Sequence, residues 1–412
     1  MNGFFQFIIH RSAFIIALCE SPISNPYTAG HLLPRYTSHA PGIIGEGPDA
    51  HGETLREAEM MNALSVTRLD ALLACVVLLG LAASRRLSGA DPPQATITNG
   101  QIRLKLYLPD AKNGFYRGTR FDWSGVMASL EYQGHDYYGP WFDQVDPSVH
   151  DYRYEGTKII ASTCSGAVGP VNEFTTNGSA LGWDEAKVGG TFIKIGVGVL
   201  RKDKPEYDYV KQYEIVDLGQ WTVKPHRDSV EFTQELNDPS SGYGYIYRKT
   251  VRLVEGKPEM VLEHSLKNTG KLAIRSHVYN HNFLVLDRQP PGPDFTIAVP
   301  FQIRSPQPPN PALAEIRGNQ IVYLKALRNQ DMVETPVEGF GDSPRDNEIR
   351  IENRKVGAGM KINGDHPLSS FNLWSIRTVL AAEPFIAMSV DPGKEFTWKI
   401  SYQYYTLPSS SK

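Results

Sequence analysis

The sequence predicts an all-β protein built as a large antiparallel sandwich, and three features predict it. From Ala95 onward, apolar residues recur with period two in short runs, turn-forming residues separate those runs, and no segment sustains helical periodicity over four turns. The composition agrees: 20 Tyr, 36 Gly and 29 Pro favour pleated strands and tight turns over helices. A chain of 412 residues with 41% hydrophobic content can bury a sizeable core, and β-rich sandwiches of this length fold as single domains.

The last strand is the clearest. Phe396, Trp398, Ile400, Tyr402 and Tyr404 alternate with Thr397, Lys399, Ser401 and Gln403, so one face carries five large side chains and is expected to be buried. Lys249–Val254 and Met260–Lys267 flank the breaker-rich Glu255-Gly256-Lys257-Pro258, the pattern of an antiparallel hairpin. Between Gln289 and Pro311 the prolines forbid a central ladder, and the expectation there is a meandering excursion with one strand, Phe295–Ile303.

Residues 1–94 read differently and form a leader, with residues 95–412 as the sandwich domain. If translation starts at Met60 or Met61, Arg68 supplies a basic start and Ala71–Ala83 an apolar stretch. Ser88-Gly89-Ala90 then supplies small residues for cleavage, so Met61–Ala90 reads as a signal peptide cut near Ala90. The first sixty residues are then a mis-assigned start. A retained anchor is the competing reading, but the apolar block falls short of the ~20 residues a bilayer requires, and no stable span is expected in the mature form. An exported protein, periplasmic or extracellular, follows. Beyond the leader Cys164 is the only cysteine, which excludes a disulfide framework and a thiolate metal centre. The net charge of -3 and the lack of a basic run argue against nucleic acid.

Chemistry is sought where polar groups interrupt apolar strands. In His277-Val278-Tyr279-Asn280-His281-Asn282-Phe283, residues His277, Tyr279 and His281 share one strand face. In Val379-Leu380-Ala381-Ala382-Glu383-Pro384-Phe385 a single carboxylate breaks an apolar run. Taken alone, each place is also explained by a polar face or a hydrogen-bonded core group. His277 and His281 stand ~13 Å apart along an extended strand, which disfavours a shared metal ion.

Together these segments resemble the aldose 1-epimerases of the galactose mutarotase-like superfamily. Asn280-His281-Asn282-Phe283 is similar to the family's Asn-His-x-Tyr-Phe-Asn element. Glu383-Pro384, followed by Asp391-Pro392-Gly393-Lys394-Glu395 and the aromatic strand, is similar to its C-terminal glutamate and turn. Gly166-Ala-Val-Gly169-Pro170-Val-Asn172 resembles the family's Gly-x-x-Gly-Arg-x-x-Asn, and Asn177-Gly178-Ser179-Ala-Leu-Gly182-Trp183-Asp184 its His-Gly-Gly-x-x-Gly-Phe-Asp. The four elements stand in family order over roughly residues 97–407.

The resemblance implies an antiparallel supersandwich that interconverts the anomers of a monosaccharide or modified sugar without metal or organic cofactor. Glu383 is then the base, remaining anionic, and His281 the acid, with Asn177, Asp184, His277 and Tyr279 as sugar-binding residues. Trp183 and Trp374 are candidate stacking platforms. Pro170 replaces the family's arginine and Asn177 its histidine, which points away from plain galactose bound in the usual way. Glu173 could compensate as a polar contact, although a surface-loop position is the plainer expectation. The alternatives are a non-catalytic carbohydrate-binding or structural protein on the same scaffold, or another sugar-active enzyme, a lyase or hydrolase. For a hydrolase, Asp184 and Asp342 are the candidate second carboxylates.

Overall fold

Alternation of large apolar and small polar residues drives two broad antiparallel sheets together in the computed structural model, which describes residues 91–408. The leader, its signal peptide and the alternative start lie outside the described residues, save the short stretch from Asp91. Among the described residues there are strands and two short 3-10 turns but no α-helix, and no helix is long and apolar enough to cross a membrane.

One sheet has ten strands, in the spatial order Gln220–Pro225, Ser229–Asp238, Tyr243–Leu253, Glu259–Asn268, Glu395–Thr406, Ala358–Gly364, Glu348–Asn353, Phe295–Ala298, Gln320–Tyr323, Ala314–Arg317. The other has five: Met332–Pro336, Ser370–Ile376, Val379–Val390, Ile274–Leu284, Gly169–Thr175. The expected hairpin forms around Glu255–Pro258, its strands running to Leu253 and from Glu259. In the last strand Trp398, Ile400, Tyr402 and Tyr404 are buried, and Phe396 is half-buried at its start.

The strand expected over Phe295–Ile303 ends at Ala298. Pro300 follows and has no N–H to donate, and beyond it the backbone is held by isolated contacts, Ile303 N to Gly318 O and a lone bridge between Arg304 and Glu338.

The main apolar core fills the space between the two sheets. A second core, which includes Phe121, Trp123, Trp141, Trp183 and Phe283, lies where the segment between Tyr116 and Tyr213 folds over the outer face of the five-stranded sheet. That sheet is therefore buried on both faces at one end and open on its outer face at the other.

The five-stranded sheet and its partner are joined through polar groups as well as apolar ones. Lys249 Nζ donates to Asn172 Oδ1 at 2.7 Å and to the Ser124 carbonyl at 2.9 Å, and lies 3.4 Å from Asp122 Oδ2. Asn172 Nδ2 donates to Asn280 Oδ1 at 2.7 Å, Asn280 Nδ2 to the Tyr402 hydroxyl at 3.0 Å, and that hydroxyl to Asn282 Oδ1 at 2.8 Å. All of these side chains are buried, so each partner is needed to offset its desolvation.

Candidate functional site

Strand alternation sends Asn280 and Asn282 into the sandwich and His277, Tyr279, His281 and Phe283 to the outer face of the five-stranded sheet. The next strand presents Glu383 and Phe385 on that face, while Ala382 and Pro384 point inward. The ladder pairs Tyr279 with Phe385 and Asn282 with Ala382 without a register shift, so His281 stands opposite Glu383. Across the neighbouring strand Asn372 is opposite Glu383, and Trp374 and Glu334 are opposite each other one step along. On the other side Glu173 is opposite Tyr279.

Pro384 interrupts the ladder beside this pair. It has no N–H, and the ladder is interrupted at Asn280 and His281, where the Asn280 carbonyl would have accepted from it. The Asn282 side chain fills the gap: its Nδ2 donates to the Asn280 carbonyl at 3.1 Å and to the Ala382 carbonyl at 2.7 Å. By the alternation of an antiparallel ladder, His281 and Glu383 form a non-hydrogen-bonded pair, the narrow kind in which opposite Cα atoms approach to about 4.5 Å.

The side chains meet accordingly, with His281 Nε2 3.0 Å from Glu383 Oε1. Glu383 Oε2 accepts from Asn372 Nδ2 at 3.2 Å. The imidazole stacks on Phe283 at 3.9 Å between centroids and meets the edges of Phe121 and Trp374. Its Nδ1 is buried without a hydrogen-bond partner among the described residues.

Burial sets the protonation of the pair. It pushes Glu383 up to about 8, against a smaller lowering by Asn372 and by Arg120. It holds His281 well below the ordinary imidazole value, helped by the positive charge of Arg120. At neutral pH the favoured state is therefore a protonated Glu383 beside a neutral His281. Burial works against the expectation that Glu383 remains an anionic acceptor, because a carboxylate enclosed among aromatic rings loses more hydration than Asn372 and Arg120 restore.

The remaining candidates divide. Tyr279 lies beside the pair, stacked on Phe385 at 4.0 Å, and donates its hydroxyl to Glu173 at 2.6 Å. His277 is further along the same face, half-buried, with Nδ1 3.0 Å from the Ser369 hydroxyl, and burial lowers its pKa. Trp374 stands half-buried over His281, whereas Trp183 packs among Phe192, Tyr207 and Tyr213 in the second core and offers no platform.

Asn177 and Asp184 are not brought to the pair, and both are exposed. Asn177 has a φ of 48° and Gly178 one of 77°, and Thr176 and Ser179 exchange backbone bonds around them. That is the geometry of a two-residue hairpin turn, which Asn-Gly favours, and it accounts for Asn177 without a ligand. Asp184 follows the buried Trp183 into solvent and shares no hydrogen bond with the pair.

Glu173 is the opposite case, for it is no surface-loop residue. It lies in the strand Gly169–Thr175, is buried, and takes Lys194 Nζ at 3.0 Å and Arg120 Nε at 2.8 Å. Gly169, which opens this strand, has a φ of 69°, and a Cβ there would come within 2.7 Å of the Met127 side chain, so the glycine is required.

Sequence reasoning missed Arg120, Lys194, Asn372 and Glu334. The first two come from segments outside the five-stranded sheet, and the last two look like ordinary strand residues, Asn372 half-buried and Glu334 exposed. The alternation of charge and aromatic in Arg120-Phe121-Asp122-Trp123 was the available signal for the first. The carboxylates felt by Glu383 are Glu334 and Glu173, and Glu334 is itself raised by burial and then by Asp151. Asp342, expected as a possible second carboxylate, is exposed on a loop.

Among the described residues no group of three or more His, Cys, Asp or Glu could hold a metal ion. A small crevice lies on the inner side of the same strands, lined by Val278, Asn280, Pro384, Ile386 and Trp398, away from the pair.

No protein-family model matches the chain, and no curated protein matches it in sequence. Among solved structures, the chain is similar to a protein from Synechocystis sp. PCC 6803, with 12% identity, a TM-score of 0.45, and 77% of this chain and 97% of that one covered. It is also similar to the aldose epimerase homologue from C. elegans, with 14% identity, a TM-score of 0.45, and coverage of 76% and 99%. A galactose mutarotase related enzyme from Lactobacillus acidophilus gives 13% identity, a TM-score of 0.44, and coverage of 77% and 99%.

Proposed function

We propose that this chain is a carbohydrate-active enzyme that interconverts the anomers of a sugar by general acid–base catalysis. The observation that carries the reading is the 3.0 Å contact between His281 Nε2 and Glu383 Oε1, buried among the rings of Phe121, Phe283 and Trp374. A protonated carboxyl beside a neutral imidazole is the pair that ring opening of a hemiacetal needs. The anomeric hydroxyl gives its proton to His281 Nε2, the C1–O5 bond breaks as C1=O1 forms, and the Glu383 carboxyl protonates O5. Rotation about C1–C2 exposes the other carbonyl face. O5 then attacks C1, its proton returns to Glu383, and imidazolium returns the other proton to O1. The step is redox-neutral and consumes nothing.

Phe385 and Trp374, half-buried on the same face, are suited to pack against the apolar side of a sugar ring. The exported location expected from the leader belongs to the same proposal.

The test is polarimetry on freshly dissolved aldoses and uronic acids with the mature protein. Equilibration faster than buffer alone supports the reading. Sugars that bind, by saturation-transfer NMR, without any acceleration favour the non-catalytic carbohydrate-binding alternative.

A further inference from the structure

We propose that Arg120 presents an anion-binding edge to the His281–Glu383 site, and that the sugar taken there carries a carboxylate or a phosphate ester. The ligand class rests on the acid–base reading above, whereas the anion site itself rests on the following geometry.

Both oxygens of Glu173 are engaged. Its Oε1 accepts from Lys194 Nζ at 3.0 Å, and its Oε2 accepts from Arg120 Nε at 2.8 Å and from the Tyr279 hydroxyl at 2.6 Å. Lys194 is saturated, because its other two hydrogens go to the Phe174 carbonyl at 2.9 Å and the Tyr207 hydroxyl at 3.2 Å. Arg120 is not. Beyond Nε it makes one further bond, from Nη2 to the Tyr279 hydroxyl at 3.3 Å. Both hydrogens of Nη1 and one of Nη2 have no acceptor among the described residues.

A buried lysine and a largely covered arginine thus share one carboxylate. Asp151 is felt by Arg120 but forms no ion pair with it, and its Oδ1 takes the Ser165 hydroxyl at 2.6 Å. The free end of the guanidinium is also held in place. It packs over Phe121 at 4.5 Å and over Tyr209 at 4.6 Å, with its side chain 12% exposed and Tyr209 48% exposed. Phe121 in turn meets the edge of the His281 ring at 5.6 Å, so one side chain separates the guanidinium from the reacting imidazole.

A planar fork with three free donors, a counter-charge it shares with Lys194 and little conformational freedom matches the two oxygens of a carboxylate or phosphate. A neutral hydroxyl would fill the donors and leave the charge.

Two-dimensional exchange NMR of anomer interconversion tests this with D-glucuronate and D-glucose 6-phosphate against D-glucose, and D-galacturonate against D-galactose. The expected result is a kcat/KM for at least one anionic sugar at least tenfold above its neutral parent, with the carboxylate and phosphate arms identifying which anion. In Arg120→Met that preference is expected to collapse through KM. Arg120→Lys, which keeps the charge without the fork and guards against misfolding of the first variant, should keep part of it.

Equal rates for anionic and neutral sugars in the wild type would overturn the anion site and leave the acid–base reading standing. No acceleration of any sugar, with glucuronate or glucose 6-phosphate still binding in an Arg120-dependent way, would overturn that reading and keep the anion site. Neither acceleration nor Arg120-dependent binding would overturn both.

Discussion

His281 and Glu383 face each other at the point where Pro384 interrupts the ladder between their strands, and the amide of Asn282 spans that gap by donating to the carbonyls of Asn280 and Ala382. A missing backbone donor thus sits beside the His281–Glu383 pair and is compensated by a neighbour that points into the sandwich. That neighbour, Asn282, also belongs to the inter-sheet network that runs through Tyr402 to Lys249.

Asn282→Ala should destabilise the protein by about 1–3 kcal/mol in urea unfolding, the consequence of leaving a buried carbonyl unpaired. Pro384→Ala restores an N–H opposite that carbonyl. In the Asn282→Ala background it should recover part of the loss, giving a coupling of about 1 kcal/mol in a double-mutant cycle. Strict additivity would mean that the two residues do not serve the same carbonyl.

Lys249→Met should cost about 3–5 kcal/mol, because Asp122 and Asn172 would lose the charge they are buried against. Burial lowers Lys249 and raises Asp122, the directions expected of charges held against their hydration. Lys249→Met combined with Asp122→Asn should cost less than the single lysine change, read from the same unfolding midpoints.

Much of this was legible before any coordinates. Period-two alternation over Phe396–Tyr404 and the breakers at Glu255–Pro258 are local signals, and both gave the right elements. His281 and Glu383 stood out because each is a polar group in an apolar run. Arg120 and Lys194 did not, since a cation's burial depends on what folds over it, and here that is a segment distant in sequence from Glu173. Asn177 misled for a related reason: asparagine before glycine serves a hairpin turn as readily as a sugar.

The pH dependence of anomer interconversion follows from the protonation of the pair. The proposed mechanism requires protonated Glu383 and neutral His281. Activity should fall as pH rises through about 8, where Glu383 ionises, and hold on the acid side to well below the ordinary imidazole range. A kcat/KM profile against pH checks this, and a basic limb that persists unchanged in Glu383→Gln would remove Glu383 as its source.

Glu383 should also weaken the fold in alkali. Its folded pKa, about 8, lies above the ordinary 4.5, so folding favours the protonated form. That contribution is fully present below pH 4.5 and is lost as pH rises to about 8, at about 1.4 kcal/mol per unit. Glu383→Gln cannot ionise and should melt above the wild type at pH 9 by more than it does at pH 5. Equal differences in Tm at the two pH values would contradict the burial of an ionisable carboxyl here.

The measurement that bears most directly on the acid–base pair is two-dimensional exchange NMR of anomer interconversion for the wild type, His281→Gln, Glu383→Gln and the double variant, on the sugar found to be accelerated. Each single change should lower the enzyme-dependent rate by about a hundredfold or more, and the double change by little further, because the two groups act as a unit. Folded single variants that keep the wild-type rate would show that His281 and Glu383 do not move the protons.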